Sequence, residues 1–146
     1  MLTSCAKTEN KDYKADVSVD DISTKICEKV SLNTLIKADK EWIAFNIPID
    51  TSSCEEFTVY ISANGESNLF GVFKANSEKT AETLHKQTQT YLENMENNWM
   101  SEYLPEELPK IQNAVTERCG LYVCFIILDD DLRNDAKNVF TEMLTK

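Results

Sequence analysis

The sequence predicts an α+β fold: an antiparallel sheet built from two β-hairpins, with helices packed on it. Two stretches with the alternating or wholly apolar pattern of strands lie on either side of a long amphipathic helical segment. Hairpins separated by a helix favour an antiparallel sheet that carries its helices on its faces. A chain of 146 residues has the size of one domain, which is expected to span residues 18–146 in the order α-β-β-α-β-β-α.

The first helix is expected to begin after Ser18, because a Ser followed three residues later by Asp21 is similar to a capping box. Apolar residues then recur at helical spacing, namely Ile22, Ile26, Cys27 and Val30. The pattern is mixed between residues 33 and 55. Within that stretch, residues 39–45 are expected to form one or two helical turns, which Pro48 stops.

The first hairpin is predicted from side-chain alternation. Residues 57–61 alternate between apolar and polar, residues 64–67 (NGES) supply turn chemistry, and residues 69–74 continue as the second strand. A long helix is then expected from Ser77 to Tyr103. Its apolar stripe comprises Ala81, Leu84, Thr88, Tyr91, Leu92, Met95 and Trp99.

The second hairpin follows a short helix that has Pro105 in its first turn. Residues 114–116 are expected to form one strand, residues 117–120 the turn, and residues 121–128 the other strand. Because residues 121–128 are apolar on both faces, this strand is expected in the sheet interior. The aspartates 129–131 are expected to cap a final amphipathic helix.

Composition excludes several classes of function. The chain has 15 Lys and Arg against 25 Asp and Glu, a net charge of −10, whereas nucleic-acid binding needs clustered basic side chains. Its three glycines do not form a phosphate-binding loop, and no apolar run reaches the roughly 18 residues of a membrane span. The sequence therefore predicts no catalytic residue, no nucleotide or other cofactor, and no nucleic-acid partner.

The first residues resemble the end of a bacterial lipoprotein signal. Residues 2–5 (LTSC) match the lipobox, in which small residues precede a Cys whose sulfur receives the lipid. Residues 6–17 are charged and poor in apolar side chains, as expected of a flexible tether that spans about 20 Å. Residues 1–17 are therefore interpreted as the remainder of a signal and a tether, with lipid on Cys5. An ordinary frayed terminus is the alternative.

Five short segments occur in the order found in a known family: residues 20–23 (DDIS), 46–50 (NIPID), 72–75 (VFKA), 103–106 (YLPE) and 118–123 (RCGLYV). Across residues 18–144 the chain resembles the domain of unknown function four-three-five-eight, found in small secreted lipoproteins of clostridia and related Gram-positive bacteria. Asn46 departs from the family pattern, which often has Gly there. The resemblance implies secretion and lipid attachment, and it brings no catalytic residue with it.

Metal binding is not expected. His85 is the only histidine, and zinc sites need three or four ligands, so His85 is interpreted as a solvated side chain at the border of the helix stripe. The aspartates 129–131 invite a calcium interpretation, but Arg133 and Asn134 break the EF-hand pattern. A helix cap explains these aspartates without a metal.

Four cysteines besides Cys5 leave the disulfide question open. Cys27 and Cys124 fall at apolar positions and are interpreted as small buried side chains. Cys54 and Cys119 are expected in loop or turn sequence, where a secreted protein could oxidise them. Four thiols allow three connectivities, and no C-x-x-C motif suggests a redox pair.

Neighbouring carboxylates and a few aromatic residues complete the candidates. The pairs at 20–21, 55–56 and 106–107 are interpreted as solvated faces, because a glycosidase needs two carboxylates at a set separation in a cleft. A stacking platform for sugar or peptide is the less common role of surface aromatic residues, and core packing is the more common one. The aromatic candidates are Trp42, Trp99 and Tyr103.

The function expected from these observations is that of an extracytoplasmic domain held at the cell membrane through lipid on Cys5. A non-enzymatic binding or accessory role at the envelope is favoured, with an unknown envelope component or protein as partner. The alternative is a cell-wall hydrolase with unidentified carboxylates. An exposed apolar patch would favour a protein partner, whereas a strongly perturbed carboxylate in a cleft would favour the enzyme.

Overall fold

A computed structural model describes residues 12–99, 102 and 104–146, and confirms the predicted α+β class. Over these residues the chain forms a five-stranded antiparallel sheet and five α-helices. Cys5 and Tyr103 lie outside the described residues. No helix in the described ranges has the length and apolar character needed to cross a membrane.

The helices and strands follow one another as α1 (Val19–Val30), β1 (Leu35–Lys37), α2 (Lys40–Asn46), β2 (Cys54–Ser62), β3 (Leu69–Ala75), α3 (Glu78–Asn98), α4 (Leu108–Gln112), β4 (Val115–Cys119), β5 (Tyr122–Ile127) and α5 (Asp130–Leu144). Short 3-10 helices precede β2 and α4, at Thr51–Ser53 and Pro105–Glu107. The strand order is β1-β2-β3-β5-β4, and every neighbouring pair is antiparallel. Strand β5 therefore has a neighbour on each side, as its two apolar faces predict.

Four details differ from the sequence prediction. Strand β1 is not predicted, and α3 ends at Asn98 rather than at residue 103. Strand β4 runs to Cys119, because the left-handed residue of the hairpin is Gly120, with φ of 61°. Asp129 takes the position before α5, but its side chain accepts no capping hydrogen bond. The Ser18 hydroxyl, in contrast, accepts hydrogen bonds from the first turn of α1.

The sheet separates two hydrophobic layers. Helices α1 and α5 cover one face, where Phe70, Tyr122 and Phe140 are fully buried. Helices α2, α3 and α4 cover the other, where Phe73 and Phe125 are fully buried. Successive residues of β3 and β5 point to opposite layers, so strands that are apolar throughout can serve both.

Residues just before α1 lie along the end of α5. The Lys14 amide donates to the Leu144 carbonyl at 2.7 Å, and the Lys146 amide donates to the Asp12 carbonyl at 3.0 Å. The Tyr122 hydroxyl accepts from the Val17 amide and donates to the Val17 carbonyl. The last residues of the expected tether therefore contact the domain directly.

Candidate functional site

A groove of about 380 Å³ opens on the face of the sheet that α2 and α3 cover. Its volume falls in the range of ligand pockets, roughly 300–1,000 Å³. The polar wall is formed by Ser62 at the end of β2, by residues 65–68 between β2 and β3, and by Asn46. The apolar wall comprises Trp42, Ile61, Leu69, Tyr91, Met95 and Trp99. Because three of these residues are aromatic, we call the pocket the aromatic groove.

Helical spacing places the aromatic residues of the groove. Trp42 and Asn46 are one turn apart on α2, and the Asn46 side chain donates a hydrogen bond to the Trp42 carbonyl at 2.9 Å. Tyr91, Met95 and Trp99 follow at intervals of four residues along α3 and its C-cap. Both tryptophans are half-buried, so each presents part of its ring to the groove.

Exposed apolar side chains extend the groove outward. Among the described residues, the exposed large hydrophobic side chains are Ile36, at 49%, and Phe45, at 90%. Ile36 pairs across the strands with Ile61 of the groove wall. Phe45 lies three residues after Trp42 on α2, which places both on one side of that helix. Each of these two exposed side chains is therefore a neighbour, across the strands or along the helix, of a residue that lines the aromatic groove.

A buried carboxylate holds the polar wall in place. Oε1 of Glu107 accepts hydrogen bonds from the Ser67 amide at 2.8 Å, the Ser67 hydroxyl at 2.7 Å and Nζ of Lys110 at 3.0 Å. Nζ of Lys110 also donates to Oδ1 of Asn68 at 3.0 Å. The side-chain amide nitrogen of Asn68, Nδ2, donates in turn to Oε1 of Glu66 at 3.2 Å. Glu107, just before α4, thus bonds to Ser67, and Lys110 of α4 bonds to Asn68, which in turn bonds to Glu66.

The environment of Glu107 keeps its carboxyl ionised. Burial raises the pKa of Glu107, but hydrogen bonds from Ser67 and the Lys110 ammonium outweigh burial and leave the pKa below its usual value. A glycosidase general acid needs the opposite shift, a raised pKa. The interpretation of residues 106–107 as solvated is wrong for Glu107, which is 5% exposed, and right for Glu106.

His85 lies away from the aromatic groove, beside β4. Burial lowers its pKa although a hydrogen bond to the Thr116 backbone opposes that shift. Its Nε2 is shielded from solvent and makes no hydrogen bond within the described part of the chain. The expectation of a solvated ring is therefore wrong at this nitrogen.

The aspartates 129–131 line a separate hollow of about 610 Å³ together with Glu106 and Lys110. Asp130 pairs with Arg133 at 2.9 Å. Over the ranges that the structure describes, no group of three or more His, Cys, Asp or Glu side chains is arranged to hold a metal ion. The hollow is thus a polar surface depression at the start of α5.

The four cysteines of the domain are distributed over both layers and form no disulfide with one another. Cys119 and Cys124 are buried, and burial raises the pKa of the Cys124 thiol. Cys27 and Cys54 are half-buried, and burial raises the pKa of Cys54 to about 11. A raised thiol pKa disfavours the thiolate, which is the nucleophilic form. Thiol chemistry is not favoured at Cys54 or Cys124.

The sequence interpretation named two residues of the aromatic groove, Trp42 and Trp99, and missed its polar wall. Ser67 is predicted only as a turn residue and Asn68 has no predicted role, since a sequence does not show which buried group a turn will meet. The spacing of Glu107 and Lys110, three residues apart, is a usable signal for an ion pair on one helical turn.

Comparison with known proteins gave one match among families. The model of the Domain of unknown function (DUF4358) matches residues 28–128, from the end of α1 through β5. This range is more than half of the chain, and it contains the whole sheet and the aromatic groove. No curated protein and no solved structure matches the chain.

Proposed function

We propose that this chain, which belongs to the DUF4358 family, is a binding domain of the cell envelope. Its ligand site is the aromatic groove. The domain is extracytoplasmic and anchored by lipid on Cys5, and its role is non-enzymatic. Its partner contacts Trp42 and Trp99 inside the groove and Phe45 at the rim.

The observation that carries this proposal is the convergence of apolar side chains on one surface. Exposing a phenylalanine side chain to water forgoes about 1.5–3 kcal/mol relative to burying it, so Phe45 at 90% exposure stands out. Ile36 pairs across the strands with the groove residue Ile61, and Phe45 lies three residues after the groove residue Trp42 on α2. Residues that dominate binding energies are enriched in Trp and Tyr, and an apolar patch beside a groove is typical of an interaction site.

A cell-wall hydrolase has less support from the geometry. The buried carboxylate nearest the groove is Glu107, and its Oε1 already accepts three hydrogen bonds. Its lowered pKa makes it a weak base and leaves it without a proton to donate near neutral pH. The same contacts suit a structural role, which is to shape the groove wall.

Anchoring is tested by labelling the full chain with a fatty-acid analogue in the bacterium that produces it. We expect label on the wild type and on Cys54→Ala, and loss of the label from Cys5→Ala. Cys54→Ala is the matched control, because it removes a half-buried thiol within the domain. Equal labelling of Cys5→Ala and wild type would contradict lipid attachment at Cys5.

Partner binding is tested with a photoreactive benzoyl-phenylalanine placed at position 45 in living cells. Because Phe45 is 90% exposed, the replacement leaves the fold intact. We expect a discrete crosslinked product that Trp42→Ala weakens. Position 138, an exposed residue on α5 at the opposite face of the sheet, is the control and should give no such product. The same product from both positions, or none from position 45, would overturn the proposed function.

A further inference from the structure

We infer that the occupant of the aromatic groove is a peptide segment of a partner protein, in which a large apolar side chain lies close to a Lys or Arg. The inference rests on the proposed function and adds the chemistry of the partner. It follows from the charge of the groove wall, from the apolar rim, and from the way the wall is held.

The first argument is the charge of Glu66. Among the residues that line the groove, Glu66 is the one charged side chain. Within the described part of the chain no salt bridge involves it, whereas Glu55, Glu107, Glu117 and Asp130 each pair with a Lys or Arg. Its carboxylate receives a hydrogen bond from the neutral Asn68 amide at 3.2 Å. An unneutralised carboxylate on the polar wall of the groove favours a cation and disfavours an anion.

Lys110 does not neutralise Glu66, although it is close in the hydrogen-bond network. Its ammonium bonds to the Glu107 carboxylate and to the Asn68 side-chain oxygen, both at 3.0 Å. The Asn68 amide then turns its donor towards Glu66. The network orients Glu66 without cancelling its charge, and the whole chain adds to the attraction for a cation through its net charge of −10.

The second argument is the apolar rim, which favours a peptide over a glycan. Sugar hydroxyls need a dense set of hydrogen-bonding partners, and the surface next to the groove offers the hydrocarbon of Ile36 and Phe45 instead. Met95 adds a polarisable, adaptable side chain, a feature of peptide-binding surfaces. These groups match the apolar side chains of a protein segment.

The third argument is preorganisation. The Ser67 amide and hydroxyl are both held by Glu107, so the turn that carries Glu66 is fixed before any ligand arrives. A fixed wall loses little conformational entropy on binding, which favours recognition of a short segment.

The test is selection from a random linear peptide library displayed on phage, with the purified full chain as target. Enriched sequences are synthesised and titrated by fluorescence anisotropy at physiological salt. We expect enriched peptides to share a large apolar residue within a few positions of a Lys or Arg. Phe45→Ser should weaken their binding by at least about fivefold, as for a residue worth more than 1 kcal/mol.

A double-mutant cycle isolates the charge. Glu66→Gln should weaken binding by about two- to fivefold, the range of an exposed ion pair. Replacing the basic residue of the peptide by norleucine should remove the difference between wild type and Glu66→Gln. Glu82→Gln, which removes an exposed carboxylate from the first half of α3, is the matched control and should leave affinity unchanged.

Several outcomes overturn the inference. They are a selection without enrichment, an acidic consensus, peptides insensitive to Phe45→Ser, and groove binding by soluble peptidoglycan fragments in place of peptides. Each of these leaves the proposed function standing if position 45 crosslinks in cells while position 138 does not. Failure of that crosslinking experiment, in contrast, overturns the proposed function itself.

Discussion

Replacing Phe125 with alanine is expected to lower the free energy of unfolding by about 3–5 kcal/mol, the cost of a large-to-small change in a packed core. Phe125 lies fully buried on β5. Its ring stacks on Phe73 at 6.1 Å between centroids and meets the edge of Tyr91 at 5.5 Å. Because β5 has strands on both sides, the backbone has little freedom to close the cavity.

The matched control is Phe45→Ala, the same chemical change at a side chain that is 90% exposed. It should change the free energy of unfolding by no more than about 0.5 kcal/mol. Urea unfolding followed by circular dichroism measures both variants, and the slope against urea should stay constant if only stability changes. A loss below about 1 kcal/mol for Phe125→Ala would mean that this ring is not tightly packed in the layer that α2, α3 and α4 cover.

Gly71 explains why the ring of Phe125 fits so closely. A Cβ at position 71 would stand 2.7 Å from Cε1 of Phe125 and 2.9 Å from Cε1 of Phe73. The missing side chain therefore makes the space in which the two rings stack. In a sequence, a glycine within a strand indicates only a less stable strand. The cross-strand register is needed to show that an aromatic ring of β5 packs over Gly71.

The sheet could be predicted because its signals are local. The period of two in residues 57–61 and the apolar run of 121–128 both indicate strands. The alternation does not show that helices cover both faces of β2, where the polar Thr58 is buried as well as Val59. Strand β1 escaped prediction because it has three residues and depends on pairing with the end of β2. Three residues carry too little pattern to distinguish a strand from a loop.

The candidate site could be predicted only in part, because its members are far apart in the chain. Trp42 and Trp99 stand out as large aromatic residues, but their meeting depends on how α2 and α3 pack on the sheet. Ser67 and Glu107 are separated by 40 residues, and no pattern in either segment indicates the other. From the sequence, Glu107 is interpreted as a surface residue because it follows Glu106. The helical turn places Glu106 at the surface and Glu107 in the interior.

Replacing Glu107 with glutamine is expected to lower the free energy of unfolding by about 3–5 kcal/mol, because it leaves the ammonium of Lys110 buried without its counter-charge. The side chains of this pair are 7% and 11% exposed. Glu106→Gln, one residue earlier and exposed, is the matched control and should stay within about 0.5 kcal/mol of wild type. Denaturant unfolding of both variants gives the comparison.

Lys110→Met should also destabilise, but the double variant Glu107→Gln with Lys110→Met should lose less than the sum of the single losses. Removing both charges leaves no uncompensated ion, so a coupling of roughly 0.5–3 kcal/mol is expected. Additive losses would show that Lys110 and Glu107 do not interact energetically, and the account of how the groove wall is held would fail.

The stabilisation that Glu107 provides is also expected to depend on pH, with a defined sign. The pKa of Glu107 is lower in the folded chain than its ordinary value of 4.5, so the unfolded chain binds the proton more readily. The contribution of Glu107 is therefore complete above about pH 4.5 and is lost as pH falls through the folded-state pKa. Wild type and Glu107→Gln should differ most near neutral pH and converge in acid, whereas wild type and Glu106→Gln should stay parallel. A gap that stays constant from neutral to acidic pH would mean that the ionised carboxylate contributes nothing, and that shape alone makes Glu107 necessary.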